Sequence, residues 1–210
     1  MSYIDSLNSE QRNNIDSLKA AMVKGGITNP YSIAALLAII SKESSFYPKR
    51  ENMNYSAPRI KQVWTGISTA KAAELANNPQ KLANYVYAQK PNGYRNDAYG
   101  NVDPTDGYDY RGGGYNQLTW RGSYKKIGNQ IGEPLEKKPQ LIENPEIASK
   151  VVVQFMQNRF KDLIRLGHLK AYGGAKDIND FKDLENATMA FYHANTGAAK
   201  PVSKIKNLKN

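Results

Sequence analysis

The sequence predicts a mainly α-helical fold, with a single domain over residues 1–210 and a small irregular or β segment near residues 108–120. Apolar residues recur at helical spacing along most of the chain, and composition typical of strands is confined to YDYRGGGYNQLTW. The length of 210 residues suits one domain with a substantial buried core.

Helix boundaries follow from capping signals, taken in chain order. Asparagine is a favourable N-cap, and proline at the first helical position loses only an N–H group that would be unpaired anyway. The dipeptide Asn-Pro at residues 29–30, 78–79 and 144–145 therefore marks three helix starts, and Gly25-Gly26 ends the first helix. The predicted helices cover residues 9–24, 30–44, 57–64, 69–77, 79–88, 122–131, 145–166 and 181–194.

The segment from residue 89 to residue 114 is predicted to be a functional loop. It reads QKPNGYRNDAYGNVDPTDGYDYRGGG, and an irregular stretch of this length inside a compact domain is usually functional or disordered. Disordered segments are poor in aromatic residues, so the tyrosines of this segment favour a functional loop. These are Tyr94, Tyr99, Tyr108 and Tyr110. Its aspartates lack the spacing of a calcium-binding loop and are interpreted as solvated residues, namely Asp103, Asp106 and Asp109.

The composition excludes several kinds of chemistry. The chain has no cysteine, so disulfides and thiolate catalysis are excluded. Its two histidines, His168 and His193, are interpreted as structural, and neither a metal nor another cofactor is expected. The net charge of +10 favours polyanionic partners, such as the acidic polymers of a bacterial envelope. The basic residues are scattered, apart from a tail at residues 199–210, so nucleic acid is not expected as a partner.

Glu43 and Glu51 are the candidate catalytic residues. Glu43 is expected at the edge of an apolar stripe and near the negative end of the helix over residues 30–44, and both effects oppose ionisation, as a general acid requires. The stripe consists of Ile33, Leu36, Leu37 and Ile40. Glu51 lies in a more polar segment, which is expected to keep a carboxylate charged for work as a base or nucleophile. The alternative is that both are ordinary surface charges, with Glu43 paired to Lys42 or Lys49.

Three stretches follow one another between residues 34 and 128, and they carry a resemblance to a known family. They are ESSFYPKRENMNYSAPRI, NNPQKLANYVYA and YDYRGGGYNQLTWRGSY. They resemble the HES-G-G-F…EN-L-N-Y-S segment, the N-P-E-K-L-A-N-x-V-Y-A stretch and the Y-R-G-R-G-x-x-Q-L-T-G-x-x-N-Y block of family 19 glycoside hydrolases, chitinase-like enzymes that include phage endolysins. The resemblance implies a lysozyme-like α+β fold.

The same resemblance implies roles for individual residues. Glu43 takes the place of the general acid and Glu51 that of the general base. Gln117 and Thr119 take the place of substrate-binding residues, and in an extended segment they would point to the same face. The other implied substrate-binding residues are Arg111, Tyr115, Ser123 and Asn195.

The sequence also departs from the family pattern. Lys42 stands where the family has His, Gly113 replaces the second Arg, and Ser123 replaces an Asn. Ser44-Ser45 replaces two glycines, and the link to Glu51 is one residue shorter. These changes leave the place of Glu51 less firmly implied than that of Glu43.

The predicted function is a peptidoglycan-degrading glycoside hydrolase of endolysin or muramidase type. It would cleave β-1,4 glycosidic bonds with inversion, a mechanism that requires the two carboxyl groups to be roughly 6.5–9.5 Å apart. The alternatives are a lytic transglycosylase or goose-type lysozyme that uses Glu43 alone, a chitinase, and an inactive glycan-binding module. The sequence has no signal peptide or transmembrane pattern. The protein is therefore expected to be made in the host cytoplasm and to reach the wall through a holin, lysis or a virion. A monomer is the default expectation.

Overall fold

The computed structural model describes residues 3–87 and 99–197. The first ten residues of the predicted functional loop, with Tyr94, and the whole basic tail at residues 199–210 lie outside the described residues. In the described residues, no helix is long and apolar enough to cross a membrane.

The described chain is mainly helical, which confirms the predicted fold class. The helices are α1 (Ser9–Lys24), α2 (Pro30–Ser44), α3 (Ala57–Val63), α4 (Thr69–Leu75), α5 (Pro79–Val86), α6 (Asp106–Asp109), α7 (Arg121–Ile131), α8 (Pro145–Arg165) and α9 (Leu184–Thr196). Short 3-10 turns occupy Tyr3–Ser6, Pro139–Glu143 and Leu169–Ala171. Within residues 3–87 and 99–197, β structure is limited to an isolated antiparallel bridge from Gly113 to Leu118, inside the segment predicted as irregular or β.

The Asn-Pro pairs start helices as predicted. The side chain of Asn29 accepts the backbone N–H groups of Tyr31 and Ser32, and Asn144 caps α8 in the same way. Helix α9 begins three residues later than predicted, because its N-cap is Asp183, whose side chain accepts the N–H of Asn186. The other predicted helices end within two residues of the observed bounds.

The chain forms two compact units. The first comprises the described residues of Met1–Lys49, Gly114–Asn116 and Leu141–Asn210. Inside it α2 packs against α9 and α1 against α8, around aromatic rings such as Phe160 and Phe191, whose centroids are 4.7 Å apart. Burying one such side chain stabilises the fold by about 1.5–3 kcal/mol.

The second unit comprises the described residues of Arg50–Gly113 and Gln117–Gln140. Its core gathers Met53 and apolar side chains of α3, α4 and α5, with Trp64 packed edge-on against Tyr55 at a centroid distance of 5.6 Å. The prediction of one catalytic domain over residues 1–210 stays a prediction.

Asp106 is not the solvated loop residue that the sequence suggested. Its side chain is buried and accepts the backbone N–H groups of Val102 and Asp103 at 2.7 and 3.0 Å. Arg121 lies 3.3 Å from the same carboxylate and also binds Asp103 and Glu136. A buried carboxylate is tolerated because its lone pairs are satisfied in this way. The aspartates of this loop therefore tie it to the start of α7.

Candidate active site

Glu43 lies in the last turn of α2, in the first unit. The C-cap of the helix is Ser45, whose backbone is left-handed with φ 50°, and the buried Phe46 follows with φ 63°. The carboxylate of Glu43 is exposed and has no hydrogen-bond or ion-pair partner among the residues that the structure describes. The ammonium groups of Lys42 and Lys49 instead lie over tyrosine rings, 5.8 and 4.6 Å from the centroids. The alternative ion pair is therefore not formed.

The expected partial desolvation of Glu43 is wrong for this structure. The predicted stripe is only half correct, because Ile33 and Leu37 border the core without being fully buried. The buried face of α2 consists of Ser32, Ala35, Leu36, Ile39 and Ile40. Glu43 lies one turn beyond Ile39 and Ile40 on the same helix, and its side chain is exposed.

Glu51 is held in the second unit by its own backbone. Its N–H donates to the carbonyl of Gly112 at 2.7 Å, and its carbonyl accepts Nε of Arg111 at 3.0 Å. The guanidinium of Arg111 also donates to the carbonyl of Tyr108 at 2.7 Å and lies 3.9 Å from the centroid of that ring. Arg111 thus joins the segment that carries Glu51 to the segment that carries Tyr108 and Gly112.

The carboxylate of Glu51 is half-buried and accepts a hydrogen bond from the hydroxyl of Tyr87, 2.9 Å from Oε2. This setting is drier than the solvated one that the sequence suggested, because α5 brings Tyr87 against the carboxylate. Burial, and then the negative charge of Glu51 and the hydrogen bond to it, raise the pKa of Tyr87 well above its ordinary value. Tyr87 therefore remains a neutral hydrogen-bond donor to the carboxylate.

Gly112 brings the side chains of three polar residues to one place. A Cβ atom on Gly112 would lie 2.9 Å from Oε1 of Gln117, 3.4 Å from Oε2 of Glu51 and 3.5 Å from Oγ1 of Thr119. Gly112 is buried, and the absence of a side chain there lets these three oxygens converge on one place. A group that reached these oxygens would meet a carboxylate, an amide and a hydroxyl together.

The side chains of Gln117 and Thr119 both approach Gly112, but their segment is not extended as predicted. The bridge between Gly113 and Leu118 closes a tight turn, and Gln117 has a left-handed backbone with φ 54. The turn directs Gln117 back towards Gly112, while Thr119 donates its hydroxyl to the carbonyl of Gln117 at 3.0 Å. The extended conformation was wrong, although both side chains reach the same neighbour.

Trp120 packs against the ring of Tyr87. The ring of Tyr87 meets Trp120 edge-on at 5.3 Å between centroids, and Tyr99 stacks on Trp120 at 4.8 Å with an interplanar angle of 18°. Trp120 has φ 82, a conformation that favours glycine and costs a larger residue about 1–3 kcal/mol. The resembled block has glycine at this position, so the aromatic contacts of Trp120 are gained at some cost in backbone strain.

The remaining predicted site residues are divided between the two units. Tyr115 is fully buried in the first core, so its ring has no surface left for a ligand. Asn195, near the end of α9, is half-buried. Ser123 lies half-buried in the first turn of α7. His193 bonds to the hydroxyl of Tyr172 at 2.7 Å, as expected of a structural histidine.

Two residues near Glu51 escaped the sequence-based assignment. Tyr87 belongs to the quoted NNPQKLANYVYA stretch, and Gly112 to the glycine run, yet neither was among the predicted site residues. An aromatic residue inside a family-like motif and a glycine beside an arginine were the available signals. In the described residues, no group of three or more acidic or histidine side chains could hold a metal ion.

Comparison with known proteins agrees with the resemblance at a coarse level. No family model matches the chain. A protein of Haemophilus influenzae (strain ATCC 51907 / DSM 11121 / KW20 / Rd), described as a glycosyl hydrolase family 19 domain-containing protein, is 29% identical over 153 residues, which cover 66% of this chain and 68% of that protein. This distant similarity supports a relationship to family 19 and a glycoside hydrolase of the chitinase-like or lysozyme-like kind.

Proposed function

We propose that this protein hydrolyses the β-1,4 glycan of bacterial peptidoglycan, with Glu51 as general base and Glu43 as general acid. The observation that carries the proposal is the setting of Glu51, whose carboxylate is held by Tyr87 and faces Gln117 and Thr119 across Gly112. In a direct displacement, the base activates a water molecule while the acid protonates the leaving oxygen, and the anomeric carbon is inverted.

The surroundings of Glu51 suit the role of a base. A carboxylate has about four lone-pair sites, and Tyr87 occupies one of them. The others remain for a water molecule, which the amide of Gln117 and the hydroxyl of Thr119 would orient from the same side. Because Tyr87 stays protonated, the donor is present over the whole range in which such an enzyme works.

Glu43 is assigned as the acid mainly through the motif in which it stands. Its exposed carboxyl has no described partner, so it is accessible to a glycan oxygen. A general acid must carry its proton into the reaction, and burial disfavours the charged form of a carboxyl. A glycan bound over Glu43 would remove water from it and supply the burial that the free protein lacks.

The remaining contacts with sugar are assigned to half-buried polar side chains, namely Gln117, Thr119, Ser123 and Asn195. Arg111 and Tyr115 are given supporting roles, because the guanidinium of Arg111 binds backbone carbonyls and the ring of Tyr115 is buried. A net charge of +10 favours a substrate in an anionic envelope, hence peptidoglycan over chitin and an endolysin type of protein.

Mass spectrometry of fragments released from purified peptidoglycan tests this proposal. We expect reducing-end products from the wild-type protein, and losses of at least about a hundredfold in rate for both Glu43→Gln and Glu51→Gln. Glu143→Gln is the matched control, because Glu143 is an exposed glutamate in a 3-10 turn and should leave the rate unchanged.

Other outcomes would redirect the assignment. Anhydro-muramyl ends that persist in Glu51→Gln would indicate a lytic transglycosylase that uses Glu43 alone. Activity on chitin oligomers with none on peptidoglycan would indicate a chitinase. No fragments from either polymer would contradict enzymatic activity and leave a glycan-binding module.

A further inference from the structure

We infer that Tyr87 is the positioning residue for the general base, in that its hydroxyl fixes the orientation of the Glu51 carboxylate. This inference rests on the proposed function and adds a residue to its mechanism. Tyr87 lies at the C-cap of α5, and its hydroxyl is 2.9 Å from Oε2 of Glu51. It acts through Glu51 and needs no contact with the glycan.

The hydrogen bond from Tyr87 is the one side-chain bond of the Glu51 carboxylate within the residues that the structure describes. The other bonds of Glu51 fix its backbone, through Gly112 and Arg111. Rotation of the carboxylate about the side-chain torsions is therefore opposed chiefly by Tyr87. A base that rotates away from its water molecule loses the alignment on which proton transfer depends.

Neighbouring residues hold both the backbone and the ring of Tyr87. Its carbonyl accepts Nδ2 of the buried Asn101 at 2.9 Å, and Oδ1 of Asn101 accepts the backbone N–H of Arg121. Its ring packs edge-on against Trp120, which Tyr99 covers in turn. A tyrosine held by packing and by its backbone can impose an orientation on a neighbour, whereas a mobile surface tyrosine cannot.

Neither Arg111 nor Tyr55 forms a described hydrogen bond to the Glu51 carboxylate, so the effect of Tyr87 is separable from theirs. Arg111 binds the carbonyl of Glu51, not its carboxylate. Tyr55 interacts electrostatically with Tyr87 but forms no described hydrogen bond through its hydroxyl. Removal of the Tyr87 hydroxyl should therefore change the orientation of one carboxylate and little else.

Tyr87→Phe is the test, because phenylalanine keeps the ring against Trp120 and removes only the donor. We expect a kcat lower by about tenfold or more, the usual effect of losing a hydrogen bond to a charged group, with KM unchanged. Tyr55→Phe, a half-buried tyrosine of the same unit, is the control and should match the wild type.

A second readout separates this inference from the proposed function. The relaxation of the Glu51 side-chain carbons, followed by NMR in wild type and Tyr87→Phe, requires no activity, and their order should fall in the variant. Unchanged order with unchanged kcat would overturn the inference even if the wild-type protein hydrolyses peptidoglycan. Lower order in a protein without hydrolytic activity would retain the coupling of Tyr87 to Glu51 but overturn its role in catalysis. Thermal unfolding of both variants checks that each is folded.

Discussion

Replacement of Gly112 by alanine tests the candidate site at its most crowded point. The new Cβ atom would lie 2.9 Å from Oε1 of Gln117 and 3.4 Å from Oε2 of Glu51. The first distance is too short for an ordinary contact, so the amide of Gln117 must move. Because that amide ends a flexible side chain, the fold can accommodate the change.

The expected magnitudes follow from this geometry. Alanine in place of glycine at a backbone that is not left-handed stabilises a protein by about 0.4–1 kcal/mol through the unfolded chain, which offsets part of the crowding. We therefore expect a free energy of unfolding within about 1 kcal/mol of the wild type and a Tm within about 4 °C. The rate of hydrolysis should fall on the order of 10- to 100-fold, as expected when a positioned hydrogen bond of about 1.5–3 kcal/mol is lost.

Gly107→Ala provides the matched control, since it also adds one methyl group in the second unit. A Cβ atom there would lie 2.5 Å from the carbonyl oxygen of Ala83 and 2.8 Å from Cα of Asn84. These are backbone atoms of α5 that cannot move aside, so we expect a loss of about 1–3 kcal/mol or more in stability. Its activity per folded molecule should stay normal.

Circular dichroism melts and the release of soluble fragments from purified peptidoglycan measure the two effects, at a temperature where all variants are folded. A Gly112→Ala protein that hydrolyses as fast as the wild type would refute the reasoning, because the oxygens around Gly112 would then have no part in the reaction. A Gly107→Ala protein as stable as the wild type would show that these close approaches relax easily.

Two further predictions concern stability. Asp106→Ala removes a buried carboxylate that binds two backbone N–H groups and Arg121, so urea unfolding should show a free energy of unfolding lower by at least about 3 kcal/mol. Asp103 is exposed, and Asp103→Ala should lower the free energy of unfolding by less than about 1 kcal/mol. Equal losses in the two variants would contradict the role given to Asp106. Burial, followed by the positive charges of His168 and Arg159, lowers the pKa of His193, so the unfolded chain binds this proton more readily than the folded one. The stability from neutral His193 should be complete above about pH 6.5 and decline as the pH falls below it. In His193→Gln the decline of Tm between pH 7 and pH 5 should be shallower, and an identical slope would refute this contribution.

Helix starts are predictable from the sequence where one side chain makes the cap. Asn29 and Asn144 each accept two N–H groups within three residues of themselves, so a local pattern is sufficient. The predicted start of α9 at residue 181 was wrong, because Phe181 is a core residue that precedes the cap at Asp183. Helix α6 was missed because its four residues form a helix through packing on α5.

Contacts between distant segments could not be predicted from local patterns. Tyr87 and Glu51 are 36 residues apart, and no propensity or spacing connects them. A run of three glycines permits left-handed backbone at residues 112–114, but only Gly114 of the three adopts it, with φ 73°. The non-glycine residues Gln117 and Trp120 adopt that conformation in the same region, because the tertiary contacts around them outweigh the local preference.

The two glutamates occupy environments opposite to those that the sequence suggested, and this reversal bears on how each one works. Glu51 is half-buried and its carboxylate is held by the hydrogen bond from Tyr87, so the protein itself positions the base. Glu43 is exposed and has no described hydrogen-bond or ion-pair partner. Under the proposed mechanism the glycan must exclude water from Glu43 before the leaving oxygen can be protonated. Binding energy from sugar units away from the cleaved bond would then appear in kcat as well as in KM, because it supports a step that the free protein is not arranged to perform.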